Sequence, residues 1–148
     1  SCKEVRVVSH NIMPSALQRS GLANGIRDLV NQIEERVIKT SLLIEGFDER
    51  LDANTETVLY RVVQESVNNV LKHADATRLD VCMIKEGGNI SITLEDNGKG
   101  FDTGNASFHG MGLKNILSRI NYLKGTVEWS SSPGKGTLVA IHVPYQPA

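Results

Sequence analysis

The sequence predicts an α+β fold, a two-layer sandwich in which three helices cover one face of a mixed, mostly antiparallel sheet of about five strands. Two patterns and the composition lead to this fold class. Three segments carry apolar residues at helical spacing, and about five short segments are β-prone or alternate between apolar and polar residues. Hydrophobic residues make up 40% of the 148-residue chain, which suits one compact domain with a core.

Three segments predict the helices of this domain. The first begins after Gly21, and the second covers residues 52–74 with Asn54 or Thr55 as its N-cap. The third stops at Gly125, a residue type that commonly follows a helix. In chain order, the apolar stripes are Leu22, Ile26, Leu29, Val30, Ile33 and Val37; Val58, Leu59, Val62, Val63, Val67, Val70, Leu71 and Ala74; and Leu113, Ile116, Leu117, Ile120 and Leu123.

The strands are predicted between and after these helices. Residues 40–47 form a β-prone run, and residues 78–85 and 89–96 form a hairpin through a Gly-Gly turn. The segment "GTVEWSSSPGKGTLVAIHVP", residues 125–144, predicts two more strands around a Ser-Pro-Gly turn.

Asp96 ends the strand 89–96 and has the same parity as Ile90, Ile92 and Leu94. Alternate residues of a strand point to the same face, so the pattern directs this carboxylate toward the core. Burying a carboxylate is costly unless a group donates a hydrogen bond to it. The sequence therefore predicts a hydrogen-bond donor beside Asp96.

The composition excludes several classes of protein. The net charge is −1, from 16 basic and 17 acidic residues, so no overall field favours nucleic acid or an anionic membrane. No apolar run is long enough to span a bilayer. Cys2 and Cys82 match no metal or redox spacing and are interpreted as ordinary thiols in a reducing compartment. The chain opens abruptly on a helical pattern, which predicts a piece of a longer protein.

Glu65, Asn69 and Lys72 follow one another at i, i+4 and i+7 along one edge of the second apolar stripe. Two interpretations of this column remain open. It is either a solvated helix edge or a magnesium-phosphate site, in which an amide oxygen binds the cation and an ammonium meets a phosphate.

Two glycine pairs flank a long, small and polar stretch. Asn97-Gly98-Lys99-Gly100 follows a strand, and Gly110-Met111-Gly112 opens a helix. Each pair is either a plain turn or a place where backbone N–H groups approach a phosphate. Neither matches the glycine pattern of a dinucleotide fold or a P-loop. The stretch between them predicts a mobile lid, about residues 102 to 111.

Taken in order, four segments resemble the ATP-binding domain of two-component sensor histidine kinases. "QESVNNVLKHADA" (64–76) resembles the N box of that family, "DNGKGF" (96–101) and "GMGLKNI" (110–116) its two glycine boxes, and "GTLVAIHVP" (136–144) its closing strand. The family belongs to the gyrase, chaperone, histidine kinase and MutL superfamily, which implies the Bergerat ATP-binding fold. The "LYRVVQES" and "KHADA" stretches are similar to the nitrate-sensor subfamily.

The resemblance implies roles for single residues. Asp96 would accept a hydrogen bond from the adenine amino group, supported by Thr137, and Asn69 would bind Mg²⁺. The catalytic residues that the resemblance implies are Glu65, Asn69 and Lys72, and Asn69 is the metal ligand. The residues implied in binding ATP and Mg²⁺ are Asn69, Lys72, His73, Asp96, Gly98, Gly100, Phe101, Gly110, Met111, Gly112, Leu113 and Thr137.

The resemblance also divides the chain. Residues 1–20, a helical stretch broken by Pro14, would be the tail of the histidine-bearing dimerisation hairpin and its linker. Residues 21–148 would be the catalytic domain. His10 is followed by Asn11 rather than by the acidic residue usual in the family, so the phosphoacceptor is expected outside this chain.

The implied partners are ATP, the histidine-bearing dimerisation domain of the same protein and a response regulator, with no nucleic acid. The fragment would be monomeric and the full-length protein a homodimer, in the cytoplasm or as the cytoplasmic portion of a membrane-anchored sensor. Two alternatives remain, a serine kinase of the anti-sigma type and a nucleotide-gated interaction module without catalysis. The lead-in "EVRVVSHNIMP" argues against the first, and the intact Glu65, Asn69 and Lys72 argue against the second.

Overall fold

The computed structural model describes residues 15–101 and 112–145, with side chains described from residue 21. Within these ranges the predicted three helices and five strands are confirmed. The helices are α1 (Ser15–Asn31), α2 (Ala53–Asn69), which continues into a π-helical turn (Val70–Ala74), and α3 (Leu113–Tyr122). The strands are β1 (Lys39–Glu45), β2 (Arg78–Glu86), β3 (Asn89–Asp96), β4 (Thr126–Ser131) and β5 (Thr137–Pro144).

The five strands form one mixed sheet in the order β1-β2-β3-β5-β4. Only β1 and β2 run parallel, and the other three pairs are antiparallel, as predicted. The β2–β3 hairpin turns at Gly87 and Gly88, whose φ angles of 58° and 80° lie in the left-handed region that such turns favour. The β3–β5 register places Asp96 opposite Thr137.

The core lies between one face of this sheet and the helices. Ile90, Ile92 and Leu94 of β3 are all buried, while Ser91 and Thr93 between them are more exposed. This alternation buries one face of the strand. The helical part of the same core includes Leu22, Ile26, Leu59, Val62, Val63, Val67, Ile116 and Ile120.

Asp52, rather than Asn54 or Thr55, caps the N-terminus of α2. Its backbone is extended (φ −64°, ψ 150°), and its Oδ2 accepts a hydrogen bond from the Thr55 N–H at 3.0 Å. The Thr55 hydroxyl also donates to Oδ1 at 2.6 Å. The predicted cap was wrong because Asn54 and Thr55 already lie inside the first turn. These bonds hold the pKa of Asp52 below its ordinary value.

Replacing Asp52 with alanine tests this cap. Asp52→Ala is expected to lower the free energy of unfolding by about 1 kcal/mol, because an N–H of the first turn loses its acceptor. The matched control is Asn54→Ala, which removes a bond to the Tyr122 hydroxyl on the surface and should change stability less. Urea unfolding measures both. Equal losses in the two variants would contradict the assignment.

The first helix ends earlier than its apolar pattern predicts. It stops at Asn31, and Val37 is 53% exposed in the turn that leads to β1. Inside the helix, a kink at Gly21 separates residues 15–20 from the rest, with φ 89° and ψ 178°. This positive φ favours glycine, because a residue with a Cβ rarely adopts it. The boundary at residue 20 between two domains stays a prediction.

Arg50 and Glu56 form an ion pair beside this kink. The Glu56 carboxylate is buried and accepts from Arg50 Nη2 at 2.7 Å and from Nε at 3.0 Å. The Leu51 N–H also donates to it at 3.3 Å. A buried carboxylate is tolerated when it is paired in this way.

Among the helices in the described ranges, none has the length and apolar character needed to cross a membrane.

Candidate functional site

A pocket opens where the end of α2, the start of α3 and the inner face of the sheet meet. Seven of the predicted site residues line it: Asn69, His73, Asp96, Gly100, Phe101, Leu113 and Thr137. The other lining residues are Ser66, Val70, Ala74, Trp129 and Val139. The pocket therefore combines a largely apolar wall with a few polar side chains, which is the usual composition of a small-molecule site.

Asp96 is the buried charge of this pocket, as its strand parity predicted. It is 7% exposed, and its Oδ1 accepts the Gly98 N–H at 2.7 Å. The predicted donor is therefore partly supplied by the loop that follows β3. Burial raises the pKa of Asp96, and the N–H groups of Gly98 and Thr137 oppose that rise. Because a carboxylate has about four lone-pair sites, Asp96 can still accept from a ligand.

Thr137 lies across from Asp96 on β5 and belongs to a small hydroxyl network. Its Oγ1 is 2.8 Å from Ser131 Oγ, which donates to the Gly136 carbonyl at 3.0 Å. Because the Ser131 proton is used there, the Thr137 hydroxyl must donate to Ser131. Ser131 also accepts the Phe101 N–H at 2.9 Å. Thr137 thus keeps a lone pair that can accept from a ligand. Ser131 bonds to both Thr137 and Phe101, so it holds these two pocket residues in place.

Hydrogen bonds to residues 74–78 hold the loop after β3 in place. A Cβ on Gly98 would collide with the Ala74 carbonyl, which accepts the Lys99 N–H at 2.7 Å. Asn97 Oδ1 accepts the N–H groups of Thr77 and Arg78 at 3.0 and 2.9 Å. Gly98 is buried outside the pocket wall, so its close approach is to the chain itself rather than to an open ligand space.

The column Glu65, Asn69 and Lys72 does not act as one surface. Asn69 lines the pocket, whereas Lys72 is exposed and is not part of the wall. Glu65 lies in a neighbouring groove, where its carboxylate faces Gly112 at the start of α3. His73, four residues after Asn69, lines the pocket instead. Helical spacing alone could not show this division, because it depends on where α3 packs.

Trp129 and Ser131 are the main residues that the sequence reading missed. Both belong to β4, and their side chains share the inward parity of Val127. Trp129 contributes the bulkiest aromatic wall of the pocket. The alternation along β4 was the available signal. Gly110, Met111 and the predicted lid, about residues 102 to 111, lie outside the described residues.

Comparison of the sequence with known proteins identifies relatives. A profile of the family described as histidine kinase-, DNA gyrase B- and HSP90-like ATPases matches residues 54–147. The sensor histidine kinase MctS of Rhizobium johnstonii is 37% identical over 143 residues, which cover 94% of this chain and 31% of MctS. The signal transduction histidine-protein kinase/phosphatase DegS of Brevibacillus brevis is 31% identical, over 97% of this chain and 38% of DegS. The chain thus spans about a third of the length of these curated relatives.

Solved structures show the same fold. The histidine kinase domain of a blue-light activated histidine kinase from Erythrobacter litoralis EL346 has a TM-score of 0.65 at 20% identity, over 84% of this chain and 64% of that chain. The ATP binding domain of PrrB from Mycobacterium tuberculosis has a TM-score of 0.64 at 19% identity, over 84% and 91%. The predicted α+β sandwich is therefore confirmed.

Proposed function

Because the chain belongs to the family of histidine kinase-, DNA gyrase B- and HSP90-like ATPases, we propose that it presents ATP for phosphoryl transfer to a histidine on another segment of a sensor histidine kinase. The observation that carries this proposal is Asp96, a buried carboxylate with remaining acceptor capacity in the wall of an apolar pocket. Such a group suits a flat base that carries an exocyclic amino group.

Adenine fits this wall better than guanine does. The adenine amino group can donate to Asp96, whereas guanine has a carbonyl oxygen at that place, which would face the carboxylate. Val70, Leu113 and Val139 offer apolar contact to the faces and edges of the base. Thr137, whose hydroxyl proton is directed to Ser131, supplies a second acceptor beside Asp96.

The triphosphate would extend from the base toward Asn69. Its amide oxygen is the kind of neutral ligand that Mg²⁺ accepts, and Mg²⁺ usually takes its remaining ligands from phosphate oxygens and water. When bound, Mg²⁺ neutralises charge on the phosphates. His73 in the wall and Lys72 at the exposed rim lie on the same turn as this end of the pocket. Lys72 would meet a phosphate as a point charge.

Glu65 would act on the acceptor rather than on the nucleotide. It does not line the nucleotide pocket, and the described residues offer its carboxylate no ion pair. Its place facing Gly112 puts it beside the start of α3. From there it can orient the incoming histidine or take its proton, which is the role of a general base.

The named relatives favour this function over a serine kinase of the anti-sigma type and over an interaction module without catalysis. By the same reasoning, the acceptor lies on a histidine-bearing dimerisation hairpin of the same protein, and a response regulator receives the phosphoryl group next. We place the domain in the cytoplasm, monomeric by itself and part of a homodimer in the full-length kinase. The likeness to nitrate sensors stays a prediction.

Radiolabelled ATP tests the proposal. The chain by itself should bind ATP and remain unlabelled, because the proposed acceptor histidine belongs to a separate segment that must be brought into line with the γ-phosphate. Adding the histidine-bearing hairpin of the parent kinase should produce acid-labile phosphate on the hairpin. Chain carrying Asp96→Asn is the control and should transfer nothing. Acid-labile phosphate on the chain itself, without the hairpin, would contradict this assignment.

Trp129 provides a direct readout of binding, because it is the only tryptophan of the chain and lies in the pocket wall. ATP should change the intrinsic fluorescence of the protein saturably, with the same dissociation constant that calorimetry gives. Trp129→Phe keeps an aromatic wall, so it should bind ATP within about threefold of the unmodified affinity while losing the signal. A fluorescence that ATP leaves unchanged would show that the base does not reach Trp129.

A further inference from the structure

A groove between α2 and α3 holds two arginines from different helices. It is lined by Arg61, Gln64 and Glu65 of α2 and by Asn115 and Arg119 of α3. Arg61, Glu65 and Arg119 are each partly buried. The groove and the nucleotide pocket share no lining residue.

These two arginines differ from the other arginines whose side chains are described. Arg36, Arg50 and Arg78 form ion pairs with Glu34, Glu56 and Asp80, and Arg27 donates to the Asn24 side chain. In the same residue ranges, the guanidinium groups of Arg61 and Arg119 have neither an ion pair nor a hydrogen bond. The two guanidinium groups without a partner therefore line one groove.

The charges of the groove favour an anion. Two guanidinium groups and one carboxylate give a local charge of about +1, in a chain whose net charge is −1. A guanidinium presents a planar fork of N–H donors that matches the two oxygens of a carboxylate. The Asn115 amide adds a further polar group. The groove is thus suited to a single acidic side chain that enters between the helices.

We propose that this groove is the docking point for an acidic side chain on the segment that carries the acceptor histidine. The proposal rests on the proposed function. Glu65 is one wall of the groove and faces Gly112 at the start of α3. A segment held by Arg61 and Arg119 therefore lies next to the carboxylate that would handle the proton of the acceptor. The two arginines are positioning residues, because they contact the segment and not the reacting atoms.

Charge reversal tests this assignment. Arg61→Glu and Arg119→Glu are made separately and together, and Arg36→Glu is the matched control, because Arg36 is an exposed guanidinium outside the groove. The histidine-bearing hairpin of the parent kinase is the probe. The KM for the hairpin should rise about tenfold or more in the double variant, and less than twofold in the control. The dissociation constant for ATP should stay within about twofold in all of them, which also shows that they fold.

A reciprocal change identifies the partner. Replacing acidic residues of the hairpin one at a time with lysine should, at one position, restore a low KM with the double variant. Higher salt should raise the KM of the unmodified pair and leave that of the double variant unchanged. An unchanged KM in the double variant would overturn the proposal. A parallel loss of ATP affinity would also overturn it, because the arginines would then contact the triphosphate.

Calorimetry of the hairpin with the chain separates this proposal from the proposed function. If the unmodified chain binds the hairpin but transfers no phosphate, the function fails. The groove is then still supported if charge reversal weakens that binding. If the unmodified chain neither binds nor phosphorylates the hairpin, both proposals are wrong.

Discussion

Asp96→Asn is expected to abolish ATP binding while leaving the domain folded. The introduced amide can turn its NH₂ group toward the base, where an acceptor is required, and it carries no charge in either orientation. Loss of a hydrogen bond to a charged group costs about 1.5–3 kcal/mol, and an opposed pair of donors costs more. ATP affinity should therefore fall about a hundredfold or more. Calorimetry with ATP measures it.

The same substitution should leave the free energy of unfolding unchanged or raise it. Burial raises the pKa of Asp96 above its ordinary 3.8. The folded chain then binds more protons than the unfolded chain between the two pKa values, so stability falls as the pH rises through this window. The penalty persists at neutral pH, and the amide removes it. The Gly98 N–H can still donate to the amide oxygen.

Asp80→Asn is the matched control, and its expected change in the free energy of unfolding has the opposite sign. The Ser41 hydroxyl at 2.6 Å and the Arg78 guanidinium hold the pKa of Asp80 below its ordinary value. Its ionised form contributes stability above pH 3.8 that is lost as the pH falls further, so its amide variant should be less stable at neutral pH. The ATP affinity of the Asp80→Asn variant should not change.

A folded Asp96→Asn variant that binds ATP normally would contradict the role of Asp96 in binding the base.

The inward direction of Asp96 could be predicted because a strand repeats every two residues. Its parity with Ile90, Ile92 and Leu94 fixes its face once that face is buried. The helical and alternating apolar patterns similarly predicted three helices and about five strands, because each of these elements buries one face in the core. Local pattern and tertiary structure agree at these positions, so sequence alone was sufficient.

Other features depend on contacts between distant segments. Trp129 joins the pocket because β4 pairs with β5 at the edge of the sheet, and Gly98 is required by the Ala74 carbonyl. The cap of α2 was misplaced by two or three residues, because Asp, Asn and Thr all serve as caps and all occur there. Arg61 and Arg119 share a groove only because α3 packs against α2. A single helix pattern cannot show such pairs.

Asn69→Ala is expected to remove the magnesium dependence of ATP binding. Asn69 is the predicted site residue whose neutral oxygen lies in the pocket wall, and alanine leaves no ligand atom there. In the unmodified chain Mg²⁺ should strengthen ATP binding, because Asn69 would hold the metal beside the phosphates. In the variant, the affinities with and without Mg²⁺ should converge. Calorimetry with ATP, with Mg²⁺ or with a chelator, measures this ratio.

Phosphoryl transfer to the hairpin should fall in the same variant by on the order of a hundredfold or more, because the metal stabilises charge in the transition state by several kcal/mol. Asn121→Ala is the matched control, since Asn121 is an exposed amide on α3 that lines neither the pocket nor the groove. Asn69→Asp distinguishes the loss of a metal ligand from the loss of the amide itself. Its carboxylate can still bind Mg²⁺, so the magnesium dependence should persist, while the extra negative charge near the phosphates should weaken ATP binding when the metal is removed. If Mg²⁺ strengthens ATP binding by the unmodified factor in Asn69→Ala, Asn69 is not the ligand, and the metal is held by the phosphates and other residues.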